Sequence, residues 1–386
     1  MDSEEEEYAL PYWIEMQWKR AEESRAKLVG DVTNISNSRI RRTPEYMAER
    51  AEFRRYYLPQ LIAIGPVHLA RRQHLQGEPF KEAWTTMYLT DTNQSVKDLY
   101  STIIRESELL KEISQLHEEE TWQYCTHVED TNEFITWLLI VDGCSILHLL
   151  EKSGNSVDPQ RELKASVDKL DLLVMDNQIP FQVLRLFCKD EARLEKCLLN
   201  FLQVHDYLRK ALLMRDLDTI HNEIRVEIKI KRRSLHLTKY RIGTIRELKA
   251  AGISLRRHSD GNSIYPSFKD GILHLPELVV DGTMPHIFLN LVAYEMSHSH
   301  SDFEISSYLV LLSSLVDQPE DVKELRLAGI LINEIASDKE VSDLFNKMDI
   351  ILVPETPWFA NIRDQIHLHF ESKRGRIISN LLLVKF

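Results

Sequence analysis

Residues 169–187 read KLDLLVMDNQIPFQVLRLF, a run apolar on almost every side that nevertheless carries Asp176, Asn177, Gln178 and Pro180 at its middle. Proline cannot donate a backbone hydrogen bond, and it disfavours helix at the residue before it. The pattern therefore predicts two apolar helices meeting at a corner, the first ending near Met175 and the second opened by Pro180. Asp176, Asn177 and Gln178 are then placed to bond the backbone groups that the corner frees.

Upstream, residues 134–150 (FITWLLIVDGCSILHLL) form the most apolar stretch in the chain. It is short for the ~20 residues that a membrane span needs, and it carries Asp142 and His148. The expected structure is a buried core helix. Asp142, followed by Gly143, is its most chemically suggestive residue, because a buried carboxylate needs a cation or donors. The expected role is a structural pair with His68 or with an arginine from the N-terminal part; general acid-base work is the alternative.

Further towards the start, residues 56–68 (YYLPQLIAIGPVH) carry Pro59 early and Gly65-Pro66 late, which fits an extended segment closed by a turn before a helical stretch led by His68. Between about 80 and 120, Leu99, Ile103, Leu110 and Ile113 recur at helical steps and predict an amphipathic helix pair. Residues 1–37 are charge-dense and read as an acidic extension with a peripheral helix.

Downstream, residues 225–249 reverse the local charge, with Lys229, Lys231, Arg232 and Arg233 forming the basic core KIKRR. This segment, about 223–249, reads as the connection between an N-terminal helical half of about 38–222 and a C-terminal half of about 250–380. A nuclear-import, lipid or RNA contact is the alternative, although the aromatic residues that would stack bases are missing around it. From 252 to 282 the helical period gives way to short β-type runs with Asp-Gly turns, predicting a small antiparallel hairpin or sheet. Helical stripes return in LNLVAYEM, SSYLVLLSSLV, VKELRLAGILI and VSDLFNKM. The fold class is mainly α: two helical halves packed together with one small β element.

The chain of 386 residues is 43% hydrophobic, enough for a sizeable core, and its net charge of -12 disfavours general nucleic-acid binding. Cys125, Cys144, Cys188 and Cys197 are too sparse for a disulfide scaffold and form no CxxC pair. The acidic start does not resemble a signal or transit peptide, so the sequons at Asn34 and Asn93 are expected to stay unmodified. No phosphate loop, dinucleotide fingerprint, nucleophile elbow or zinc helix is present. Glu295, His298 and His300 are the nearest approach to a metal cluster, and the preferred reading is a solvated polar segment. The expectation is a non-enzyme without catalytic residues, cofactor or metal.

Taken in order, IRRTPEYM, YLPQLIAIGPVH, FITWLLIVDGCSILHLL and LDLLVMDNQIPFQVL, followed by ELKAAGISL, FKDGILHLPELVVDG and FLNLVAYE, resemble the plant domain-of-unknown-function 247 family across about residues 38–380. That family usually has Gly-Pro-Tyr-His-His where this chain has Gly65-Pro66-Val67-His68-Leu69, and Glu-Asn-Gln where it has Asp176-Asn177-Gln178. The missing second histidine argues against paired-histidine chemistry.

The resemblance implies no established catalytic activity. It implies a recognition or signalling role, with another protein as partner, small and secreted or receptor-like; some grass relatives act in pollen self-incompatibility. Gly65, Pro66, His68, Asp142, Gly143, Asp176, Asn177, Gln178 and Pro180 are then expected to be architectural. Relatives typically carry a C-terminal membrane helix. Residues 381–386 stand about where it would begin, so the expected location is cytoplasmic or peripheral at the plasma membrane.

Overall fold

The computed structural model describes residues 42–115, 131–152, 170–203, 242–258, 265–297, 303–335, 337–348 and 356–383. The acidic extension, the KIKRR segment, Cys125, the Asn34 sequon, His298 and His300 lie outside the described residues.

The architecture is mainly α. Its first group of helices comprises α1 (Lys81–Thr92), α2 (Val96–Ile103), α3 (Ser107–Gln115), α4 (Thr131–Lys152), α5 (Phe181–Phe187) and α6 (Glu191–Gln203). The expected amphipathic pair is thus three short helices. Asn93 ends α1 in the left-handed region (φ 52°), and the Ser95 side chain caps α2 by accepting from the Asp98 N–H at 3.2 Å. Asn93, in the sequon Asn93-Gln94-Ser95, therefore serves as a helix terminator.

Helix α4 is buried around most of its circumference, from Ile135 through Leu150, with Trp137 exposed on the remaining side. Among the described residues it alone is long and apolar enough to cross a membrane, yet 78% of its most apolar window is buried within the protein. Hydrophobic neighbours such as Ile62, Tyr88, Val183 and Phe187 pack around it except on the Trp137 side, which explains why its sequence lacks a broad polar stripe. Gly143 permits the closest of these approaches: a Cβ there would stand 2.7 Å from the Phe187 ring of α5. Ile62, Ile64, Leu99, Ile103, Leu139 and Val183 belong to the core built around it.

A second core gathers α7 (Ile245–Ala250), α8 (Met284–Met296), α9 (Glu304–Leu315), α10 (Pro319–Leu327), α11 (Asp338–Met348) and α12 (Pro357–Leu383). Helix α7 starts with a full capping box between Thr244 and Glu247. Met47, Phe53, Tyr56 and Tyr57, from the first described segment, also pack into this second core, as does Met175. Among the described residues the chain therefore passes from the second core to the first between Leu58 and Gly65.

The β element contains the expected hairpin and more. Strands β2 (Ser267–Lys269) and β3 (Ile272–Leu275) pair antiparallel across Asp270-Gly271, whose positive φ angles of 52° and 76° suit a two-residue hairpin loop. Strand β1 (Ser254–Arg257) adds to β3 in parallel, giving a mixed sheet of order β1-β3-β2. A separate parallel pair joins β4 (Leu278–Val280) to β5 (Leu331–Asn333). The stripe VKELRLAGILI is accordingly not one helix: Gly329, at φ 66°, follows the end of α10 and turns the chain into β5.

The corner differs in one detail from expectation. Helical backbone ends at Asp171, and residues 172–178 form turns before Pro180 caps α5 with its carbonyl accepting from Val183 at 2.9 Å. Pro180 is therefore the residue before the helix, not its first member. The earlier ending follows from Asp171 and Asn177 bonding a different part of the chain.

Candidate functional site

Residues 58–65 (LPQLIAIG) join no sheet; Gln60 is exposed and Leu58 and Leu61 are half-buried, while Pro59 and residues 62–65 are buried. A buried irregular segment must find a partner for every N–H and C=O, or lose roughly 1–3 kcal/mol for each one left bare. Here side chains supply those partners. Asp171 accepts from the N–H groups of Gln60 (2.8 Å), Leu61 (2.7 Å) and Ile62 (2.8 Å). Glu78 accepts from Ala63 at 2.7 Å, Asn177 from Ile64 at 2.5 Å and Asp142 from Gly65 at 2.8 Å.

The carbonyls are met likewise. Asn177 Nδ2 donates to Ile62 O at 3.0 Å and to Asp171 O at 2.9 Å, so one amide ties the segment to the corner. Lys81 Nζ donates to Ala63 O, and Gly77 N–H donates to Leu61 O at 2.9 Å. Gly65 closes the segment at φ 71°, with the Gln178 carbonyl oxygen only 1.9 Å from where a Cβ would stand. Only glycine fits this position without displacing backbone.

Asp142 and Lys81 form the electrostatic centre. Asp142 is wholly buried on α4, and Lys81, at the start of α1, is 1% exposed. Lys81 Nζ lies 2.9 Å from Asp142 Oδ1 and 3.0 Å from Glu78 Oε1. Arg72 completes the set, donating to Asp142 Oδ2 and standing 3.7 Å from Glu78. Burial would raise the Asp142 pKa, but the adjacent Arg72 and Lys81 charges and their hydrogen bonds outweigh it and lower the value. Two cations facing two anions leave this buried cluster neutral.

Other expected residues stand apart from that centre. Burial is the main reason that Asp171 is raised above the usual carboxylate range, against the lowering effect of its three backbone donors. Asp176, raised mainly by burial, accepts from Thr43 N–H at 2.5 Å and fastens the chain's entry instead of the 58–65 segment. Gln178 donates to Met175 O at 2.5 Å within the corner.

His68 is 7% exposed, and its Nε2 has no hydrogen-bond partner among the described residues. Burial, with Arg71 and Arg42 adding repulsion, lowers its pKa to about 4. No hydrogen bond joins His68 to Asp142 or Asp176 among the described residues, so the expected arginine option is the one realised, through Arg72. Pro66 stands at the segment's exit, its carbonyl accepting from Leu69 at 3.2 Å.

Beside the cluster, the turn Leu69–His74, the start of α1 and the first turns of α4 enclose a cleft of about 380 Å³. Phe134, Trp137 and Leu138 of α4 give it apolar lining, while Arg72, Lys81 and Glu82 from the other two elements give it charged lining. Neither His68 nor Asp142 lines it.

The model of a family described as plant protein of unknown function, DUF247, matches residues 40–386. This chain belongs to the DUF247 family. It is 25% identical over 350 residues to the UPF0481 protein At3g47200 of Arabidopsis thaliana, covering 79% of this chain and 72% of that protein. A second Arabidopsis relative, the putative UPF0481 protein At3g02645, is 29% identical over 109 residues, 28% of this chain and 21% of its own length. No solved structure matches.

In this DUF247 protein, Asp171, Glu78, Lys81 and Asn290 are structural residues that motif reading passed over. Asn290, on α8, accepts from Met175 N–H at 2.8 Å and donates to Tyr56 O at 2.9 Å, linking the corner to the entering chain inside the second core. Glu295, the first member of the metal-like trio, is buried and caps α9, accepting from Ile305 at 2.8 Å and Ser306 at 2.9 Å. Its carboxylate thus has a helix-capping role. No group of metal-ligating side chains occurs among the described residues.

Proposed function

We propose that this DUF247 protein is a non-enzymatic recognition protein that binds another protein through its surface. The observation that supports this reading is the engagement of its buried polar groups. Both oxygens of Asp142 and both of Asp171 are committed to backbone or cation partners that hold residues 58–65. A general base must be within reach of a substrate proton, and these carboxylates are instead bound into the fold. Gly65, Pro66, His68, Asp142, Gly143, Asp176, Asn177, Gln178 and Pro180 then serve the scaffold, leaving the exposed surface to choose the partner. Cytoplasm or the plasma-membrane periphery is the corresponding place of action.

The test is affinity purification of the full chain from reproductive and vegetative plant tissue, against a bare tag and a destabilised Asp142→Asn control. A reproducible secreted or receptor-like protein, enriched only with the folded chain, is the expected result. Folded protein that enriches no partner, but turns over a compound in a substrate screen, would overturn the reading.

A further inference from the structure

The charges around the 380 Å³ cleft are unequally committed. Arg72 bonds Asp142 and faces Glu78, while Lys81 bonds Ala63 O, Asp142 and Glu78. Glu78 also accepts from the Ala63 backbone. Both cations are thus paired with carboxylates already present, although the buried Arg72 Nε has no hydrogen-bond partner among the described residues. Glu82 is different: it is exposed at the cleft on α1 and has no ion-pair partner among the described residues. On α4, which lines the same cleft, the Trp137 side chain is 46% exposed, with Phe134 one helical turn away.

An uncommitted carboxylate sharing a cleft with aromatic rings has a specific chemical preference. The rings present negative π-faces to a cation, and the carboxylate supplies the counter-charge. Leu69, Leu138 and Val141 add apolar lining that would receive the hydrocarbon part of the same ligand. The net charge of -12 favours the approach of cations over anions. We propose that this cleft binds an organic cation, an ammonium or amidinium-type group carried on an apolar body, with Glu82 and Trp137 holding the charged end. Such a group can belong to a free amine or to a lysine or arginine side chain of the partner. The second source rests on the recognition reading; the cleft chemistry does not.

The experiment titrates the full chain with benzamidine, benzamide and benzoate, compounds of nearly equal shape and different charge, by calorimetry or ligand-detected NMR. Benzamidine is expected to bind in roughly the millimolar range, as suits one ion contact and one ring face. Glu82→Gln and Trp137→Leu, both at exposed positions, should each weaken it about tenfold without moving the melting temperature. Equal binding of benzoate, or undiminished benzamidine binding by Glu82→Gln, would overturn the proposal.

Competition by agmatine and by a blocked Gly-Arg-Gly peptide separates the sources: the peptide competes only if the cleft admits a side chain on a polypeptide. The two readings also fail separately. A captured partner that Glu82→Lys still retains leaves recognition standing without this cleft as its contact. Normal benzamidine binding with no captured protein leaves the cation site standing without protein recognition.

Discussion

The two cores of this DUF247 protein solve the same problem by different means. The second core is built from helices and short strands whose backbone groups mostly bond one another, with Glu295 as a buried polar link within it and Asn290 as one that reaches Met175 and Tyr56. The first core surrounds a segment that has no ladder of its own and is held by Asp171, Glu78, Asn177 and Asp142. Regular structure satisfies the backbone within an element, so a side chain can be lost there at moderate cost. A segment satisfied by side chains depends on each of them.

Asp142 should therefore be the most sensitive position. Asp142→Ala leaves Arg72 and Lys81 buried without their shared counter-charge and Gly65 N–H without an acceptor. Removing one member of a buried ion pair costs about 3–5 kcal/mol. Urea unfolding of the full chain should show that loss; a change under about 1 kcal/mol would mean that the first core does not depend on its charge cluster.

Gly65→Ala tests the same region sterically. The methyl group would meet the Gln178 carbonyl oxygen at 1.9 Å on a backbone with φ 71°. Strain at such a position is worth about 1–3 kcal/mol, and the backbone displacement adds to it. The expected total is roughly 3–4 kcal/mol in the same unfolding measurement, and Ala at Gly282, whose added Cβ meets nothing within 4 Å, is the tolerant control.

What could be read from the chain follows the same division. Asp142, Asn177 and Pro180 were legible because a polar or helix-breaking residue inside an apolar run has to be explained by a partner or a corner. Asp171 lies in such a run too, in KLDLLVM, and the same argument applied there would have found it. Lys81 offered no comparable sign: it begins KEAWTT, where a lysine reads as solvated, and only the fold carries Asp142 to it. Strand β5 was hidden for another reason, since Leu331 pairs with Leu278 across a long separation and leaves no local hairpin pattern.

The second core should answer more mildly. Asn290→Ala removes the acceptor for Met175 N–H and the donor to Tyr56 O, both buried backbone groups. A loss of about 2–3 kcal/mol is expected from unsatisfied groups of this kind. A cost above that of Asp142→Ala would invert the comparison, making the junction between the cores the decisive polar site.

Acid should act on the first core through His68. Its folded-state pKa of about 4 lies below the ~6.5 of an unfolded histidine, so the unfolded chain binds the extra proton between those values. Stability contributed by neutral His68 is full above about pH 6.5 and is lost as pH falls towards 4, by roughly 2–3 kcal/mol in total. Asp171 and Asp176 carry raised values and so oppose this slope just above the ordinary carboxylate pKa. The difference between wild type and His68→Gln, followed by urea unfolding from pH 7 to 4, isolates the histidine. Parallel curves for the two proteins would remove it.

The smallest effect belongs to Lys249 and Glu324, an ion pair that joins α7 to α10 at the surface of the second core, with side chains 49% and 39% exposed. Geometry alone would rank it beside the Asp142 pairs, because donor and acceptor are in direct contact in both. Solvent makes the difference. Water screens the exposed pair, and both partners remain hydrated when the other is removed, so Lys249→Ala should cost no more than about 0.5 kcal/mol. Buried Asp142 has no such recourse, and its loss leaves two cations in a medium that solvates them poorly. Measured side by side in low and high salt, Lys249→Ala should approach wild type as salt rises while Asp142→Ala keeps its deficit; equal salt dependence would show that water reaches the inner cluster.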